Sequence, residues 1–297
     1  LEGEKIMCGS ERTSGAIIGK NKAALYYQTR EAKGERARLI IVHGLGEHSG
    51  RYQKLIDHLV LRGISVWSYD QRGHGMSDGP RGHTDSFDSY VYDLAEMVTM
   101  AAEDKPPDRP LFLLAHSMGG LVAVLYALKY PRAVDGMVLS SPALGLPRAA
   151  PPLKAAFGKL MSFLWPRLAV SNELMVDKIS HDPAVVQAYK DDPLVHGRIS
   201  VRWFTAFVEA LILANKGADR ISTPLFMQIA GDDYLVSPAA SQNFFNELPD
   251  GDKTIRVYEG YYHEIYNEKS SWRDQTVSDL QDWLDERIAR TPKAAAP

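Results

Sequence analysis

The sequence predicts an α/β fold: a mostly parallel central sheet, helices on both faces, and an inserted helical cap. Three observations carry that prediction. Short apolar runs that read as strands alternate with longer helix-like runs, the rhythm of βαβ units. The rhythm breaks once, between Ser141 and Thr223, where prolines and apolar helical patterns replace any clear strand. Hydrophobic residues make up 45% of the 297 positions and charged residues 24%, a balance that fills one large core.

The elements follow in order. Ala23 to Thr29 and Arg38 to Val42 read as strands. Arg51 to Leu61 reads as a helix, with Leu55, Ile56, Leu59 and Val60 on one face. Ile64 to Tyr69 is a strand and Phe87 to Glu103 a long helix. Leu111 to Ala115 is too short for a helix and fits a buried strand, whereas Leu121 to Tyr130 has helix length and content. Strand Gly136 to Ser140, strand Leu225 to Ala230, helix Pro238 to Leu248, strand Thr254 to Tyr258 and helix Trp272 to Arg290 complete the pattern. The organisation expected is a core in two parts, residues 1–142 and 223–297, with the cap at 143–222. Ligand sites in such sheets lie beyond the carboxyl ends of the strands, and a cap starting after Ser140 hangs over that edge.

Composition narrows the function. The net charge of −3 offers no basic surface for nucleic acid. Cys8 is the sole cysteine, which excludes an internal disulfide framework and Cys-cluster metal sites. No apolar run approaches the ~18 residues of a membrane span. The chain opens on Leu1, so a targeting segment is left open, with the cytoplasm or the membrane periphery as the expected address.

The stretch "LFLLAHSMGGLVAVLYALKY" (111–130) turns a strand into a helix with almost no loop between them. A residue at such a corner is held rigidly and pushed outward. Ala115-His116-Ser117-Met118-Gly119 fits the G-x-S-x-G nucleophile elbow, with Ala115 in place of the first glycine. A serine hydroxyl needs a base in hydrogen-bond reach. The partners are expected after later strands, in the order serine, acid, histidine. Strand 225–230 runs into Gly231-Asp232-Asp233, where two aspartates compete for the acid. Asp233 is preferred because it precedes Leu235-Val236-Ser237-Pro238, which should pack the loop and start a helix. Asp232 then faces solvent or braces the turn. The next strand ends in Tyr261-Tyr262-His263-Glu264, and of nine histidines His263 alone follows the last strand. Oxyanion donors are expected from the backbone amides of Met118, at a helix start, and Leu45, in the loop after strand 38–42.

With these residues in place, the chain resembles the monoacylglycerol lipase and lysophospholipase branch of the α/β-hydrolase superfamily. The likeness rests on "HGLGEHSGRY" (43–52), "DQRGHGMSDG" (70–79), "HSMGG" (116–120), "GDDYLV" (231–236) and "YHEIYNE" (262–268), with "DPAVVQAYKDDPLVHGRIS" (182–200) similar to bacterial members. It spans roughly residues 16–284. The resemblance implies a triad of Ser117, Asp233 and His263, and an oxyanion hole from Leu45 and Met118. It also places Glu47 and Arg51 near the glycerol end of the site; a salt bridge stiffening the oxyanion loop is the alternative for that pair. At Tyr266 the mammalian form carries a histidine.

Within the cap, Leu153, Phe157, Leu160, Met161, Leu164, Trp165 and Leu168 recur at helical spacing, and Val201, Phe204, Val208, Leu211 and Ile212 form a second stripe. Burial against the body explains such stripes simply. Apolar residues on more than one side, interrupted by Lys154, Lys159 and Arg167, also suit a lid that meets a lipid or micelle surface outside and lines an acyl tunnel inside. Phe157 and Leu164 are the expected acyl contacts. The reaction expected is hydrolysis of a monoacylglycerol ester through an acyl-enzyme, with neither metal nor organic cofactor. Two alternatives stand: a lysophospholipase or broad carboxylesterase with the same triad, and a non-enzymatic receptor or scaffold on the same fold.

Overall fold

A computed structural model of the chain describes residues 12–147 and 152–292, and their side chains apart from those of 152–157. The chain begins with strands β1 (Arg12–Ile18), β2 (Ala24–Arg30) and β3 (Ala37–Val42), then helix α1 (Gln53–Leu61) and β4 (Ile64–Tyr69). Helix α2 (Asp88–Ala102), β5 (Leu111–His116), α3 (Met118–Lys129) and β6 (Gly136–Ser140) follow. An insertion then contributes α4 (Pro152–Leu164), β7 (Ala169–Ser171), α5 (Pro183–Asp191), β8 (Arg198–Ser200) and α6 (Val201–Lys216). The body resumes with β9 (Leu225–Ala230), α7 (Pro238–Glu247), β10 (Lys253–Tyr258) and α8 (Ser270–Arg290).

Among the described residues the main sheet has eight strands in the order β1-β2-β4-β3-β5-β6-β9-β10. From β4 to β10 every pairing is parallel, while β1 and β2 add an antiparallel edge. The expectation of a mostly parallel sheet therefore holds. The edge strand β1 escaped it because the apolar run in Arg12–Ile18 is only three residues, Ala16 to Ile18, and the strand is largely exposed.

Both faces of the central strands are covered, and the side-chain alternation shows it. Ile40, Val42, Leu113 and Ala115 enter the core beneath α2, α3 and α6. Leu39, Ile41, Phe112 and Leu114 enter the opposite core, beneath α1 and α8. Continuous burial explains why β5 reads as an unbroken apolar run. Truncating such a residue to alanine costs about 2–5 kcal/mol.

Register brings the strand ends together. Val42 pairs with Ala115, Ser140 with Gln228, and Ala230 with Tyr258. The loops that follow β3, β5, β9 and β10 thus emerge along one edge of the sheet, as the βαβ rhythm required.

The insertion departs from the sequence reading in one respect. Two three-residue strands, β7 and β8, pair antiparallel as a separate ribbon, Ala169 opposite Ser200 and Ser171 opposite Arg198. Strands this short give no periodic signal. The helices begin where local chemistry dictates: Asp182 accepts from the Ala184 amide ahead of Pro183, and Ser200 accepts from the Trp203 amide.

Candidate active site

The corner between β5 and α3 sets the geometry. Ser117 has φ 53° and ψ −120°, a conformation side-chain-bearing residues rarely adopt. Tertiary contacts hold it there. The Ser117 amide donates to the Ser140 carbonyl at 3.0 Å, and the Ser117 carbonyl accepts from Gly120 and Ala143 at 2.9 Å each. Close approach explains the glycine at 119: a β-carbon there would lie 2.3 Å from the Val42 carbonyl oxygen. Strain at a fixed polar residue is a mark of functional sites.

Asp233 and His263 meet at the carboxyl edge. His263 Nδ1 donates to Asp233 Oδ2 at 2.6 Å, which leaves Nε2 as the basic nitrogen. Asp233 Oδ1 accepts from the amides of Leu235 and Val236 at 2.8 and 3.0 Å, so the following loop orients the carboxylate. Asp232 is exposed, and its amide braces the turn by donating to the Tyr261 carbonyl at 3.0 Å. Burial opposes a proton on His263, yet Asp233, then Glu264 and Glu47, outweigh it and raise its pKa above 6.5. His116 sits 4.6 Å from His263, ring to ring, and donates from Nδ1 to the Ser140 carbonyl at 3.1 Å. Burial first, and His263 second, push its pKa down to about 4, so it stays neutral at physiological pH.

Ser117, His263, Leu45 and Met118 line one cavity of about 590 Å³. Among the described residues neither the Leu45 nor the Met118 amide donates a hydrogen bond to another backbone group. Met118 is the first residue of α3, where helix amides have no internal partner. Gly44 lets the two loops touch: a β-carbon there would stand 3.1 Å from that of Ser117. His43 pins the turn from behind, donating from Nδ1 to the Gly44 carbonyl at 2.7 Å and accepting at Nε2 from the Gln71 amide at 2.9 Å.

Residues 33–270 match the family described as serine aminopeptidase S33, a span that holds the elbow, both loops and the insertion. The chain belongs to that family. A monoacylglycerol lipase of Mycolicibacterium smegmatis is 31% identical over 280 residues, covering 94% of this chain and 99% of that one. An abhydrolase-domain protein of Dictyostelium discoideum is 37% identical over 260 residues, 85% of this chain, but the chain spans only 26% of its length. Among solved structures, a monoacylglycerol lipase of Paleococcus ferrophilus superposes with a TM-score of 0.80 at 36% identity, covering 89% of this chain and 99% of that one. The S33 chain described here thus has the α/β-hydrolase fold and sits within its monoacylglycerol lipase branch.

The remaining site candidates fall in different places. Glu47 borders the cavity, but its carboxylate is engaged: Oε1 accepts from the Gly44 amide at 2.6 Å and from Tyr52 Oη at 2.8 Å. Burial pushes the Glu47 pKa up, and Arg51 foremost overrides it, bringing it down to about 2. Arg51 lies behind this wall in ion pairs with Glu47 and Glu264, outside the set of cavity-lining residues. Tyr266 turns into the body, where its hydroxyl meets Gln228. Leu164 is about half exposed at the end of α4 and is not among the lining residues. Phe157 lies outside the described side chains.

The apolar wall comes instead from Trp203, Phe204 and Phe207 on α6, with Ile199 on β8 and Leu174 and Met175 from the loop after β7. The second stripe read from the sequence includes Phe204; Trp203 and Phe207 occupy neighbouring positions on the same helix. Glu264 and Tyr189 also border the cavity, beyond the residues that the sequence marks. Glu264 was in plain view beside His263, but a carboxylate's partner across 213 positions leaves no local pattern.

Proposed function

We propose that this chain is a serine hydrolase that splits monoacylglycerols into fatty acid and glycerol. Ser117 attacks the acyl carbon while His263 Nε2 takes its proton. Asp233 fixes the imidazole tautomer and stabilises the cation that forms. The Leu45 and Met118 amides receive the oxyanion, a role in which one donor is typically worth ~10²–10³ in rate. His263 then protonates the departing glycerol oxygen, and water, deprotonated by the same imidazole, releases the acid from Ser117.

One observation carries this reading: a strained elbow serine and an aspartate-oriented histidine share one largely apolar cavity beneath α6. Its size suits a single acyl chain, and relatives named as monoacylglycerol lipases supply the substrate class. We read residues 143–222 as the lid over the body formed by 1–142 and 223–297. Phe163, Trp165 and Leu164 stand exposed on α4 and the turn after it, Phe163 at 84%, a surface suited to brief contact with micelles or membranes.

The test is a hydrolysis panel: monoacylglycerols of graded chain length, the matched lysophosphatidylcholines, short nitrophenyl esters and an aminoacyl amide. Monoacylglycerols should turn over fastest at equal acyl length. Faster turnover of the lysophospholipid or the amide would reject the substrate assignment and keep the triad.

A further inference from the structure

Arg51 is the junction of three segments that are far apart in sequence. Its Nη1 donates to Glu47 Oε2 at 2.9 Å, in the oxyanion turn. Its Nη1 and Nη2 donate to Glu264 Oε1 and Oε2 at 2.5 and 2.7 Å, in the histidine loop. Its guanidinium lies 4.7 Å from the ring centre of Tyr189, in the insertion. Glu264 is itself fixed, accepting from Asn267 Nδ2 at 2.9 Å and donating its amide to the Ile179 carbonyl at 2.8 Å. The three charged side chains are 9%, 4% and 6% exposed.

Taking three charges out of water is costly, and burial disfavours the charge on Arg51. Glu264 and then Glu47 reverse this and hold the guanidinium charged. A forked, two-bond contact fixes direction as well as distance. One end of the chain of contacts is the Gly44 amide, next to the Leu45 donor; the other is the residue after His263. We propose that Glu264, acting through Arg51, is a positioning residue that locks the histidine loop against the oxyanion turn. The inference rests on the hydrolase reading above. It also removes Arg51 from direct recognition of the alcohol, because its fork is spent on two carboxylates.

The test uses Glu264→Gln, which keeps shape and one acceptor, and Arg51→Lys, which keeps charge and loses the fork. Wild type and variants are compared for kcat and KM on a short nitrophenyl ester, and for the rate of labelling by a fluorophosphonate. The pH profile of kcat/KM is recorded, with thermal unfolding to confirm the folded state. Mispositioning predicts a kcat and labelling rate lower by about ten- to a hundredfold, with KM within twofold. His263 faces Asp233, Glu264, Glu47 and His116, and removing one negative neighbour moves the acid limb of Glu264→Gln to lower pH. If Glu264→Gln does not fold, Arg51→Lys carries the comparison. Rates within twofold of wild type in the folded variants, or a loss confined to KM, overturn the proposal. Failure of the wild type to label overturns the hydrolase reading instead.

Discussion

The corner at Ser117 and the insertion above it are built on opposite terms. Around the corner, β5 and α3 are buried along almost their whole length, and the strained serine is tied by backbone hydrogen bonds to Ser140 at the end of β6 and to Ala143 just after it. In the insertion, α4 and β7 leave large apolar side chains in water, and the short ribbon β7–β8 is held by a three-residue register. The first region can hold reacting groups to fractions of an ångström. The second supplies exposed apolar surface. Burial and exposure are thereby divided between parts of the chain, a division that spares α6, which packs into the core with α3.

Substitutions can break this division in order of size. Ser117→Ala removes the proposed nucleophile and should lower kcat by about 10⁶, read as initial rates on a short nitrophenyl ester. Asp233→Asn keeps the shape of the 2.6 Å contact but favours the wrong imidazole tautomer, and should cost about 10⁴ in kcat. The pH profile comes next. His263 must be neutral to accept a proton, and its pKa is raised above 6.5 by Asp233 against the effect of burial. Activity should therefore be full above that pKa and fall as the pH drops through it, with a midpoint of kcat/KM above 6.5. A midpoint below 6.5 would mean that Asp233 does not govern the imidazole.

The smallest effect should come from the insertion. Phe163→Ser with Trp165→Ser should leave hydrolysis of a soluble ester within twofold and reduce that of micellar monoacylglycerol severalfold. A large loss on the soluble ester would show that the two regions are not separable. Equal rates on micelles would remove the interfacial role.

The same contrast explains how much the sequence discloses. Strands β4, β6 and β9 match the strands read from the sequence residue for residue, because burial on both faces leaves only a few polar residues, such as Ser65, Ser68 and Gln228, within each hydrophobic stretch. The packing of the following loop favours Asp233 over Asp232 in the sequence, and the amides of that loop orient the Asp233 carboxylate. The helix read from Arg51 begins at Gln53, after a 3-10 turn over Ser49–Tyr52, since Arg51 and Tyr52 serve the ion-pair cluster instead. Leu164 follows helical spacing yet faces solvent, because an amphipathic stripe does not state what covers it. The Arg51–Glu264 contact links residues 213 positions apart, and only the fold can bring them together.

The most direct measurement is the mass of the protein and its peptides after reaction with a fluorophosphonate. The account predicts one adduct per chain, on the peptide carrying Ser117, formed quickly by wild type and at least a thousandfold more slowly by His263→Ala. Labelling at another residue, or no labelling of folded wild-type protein, would contradict it.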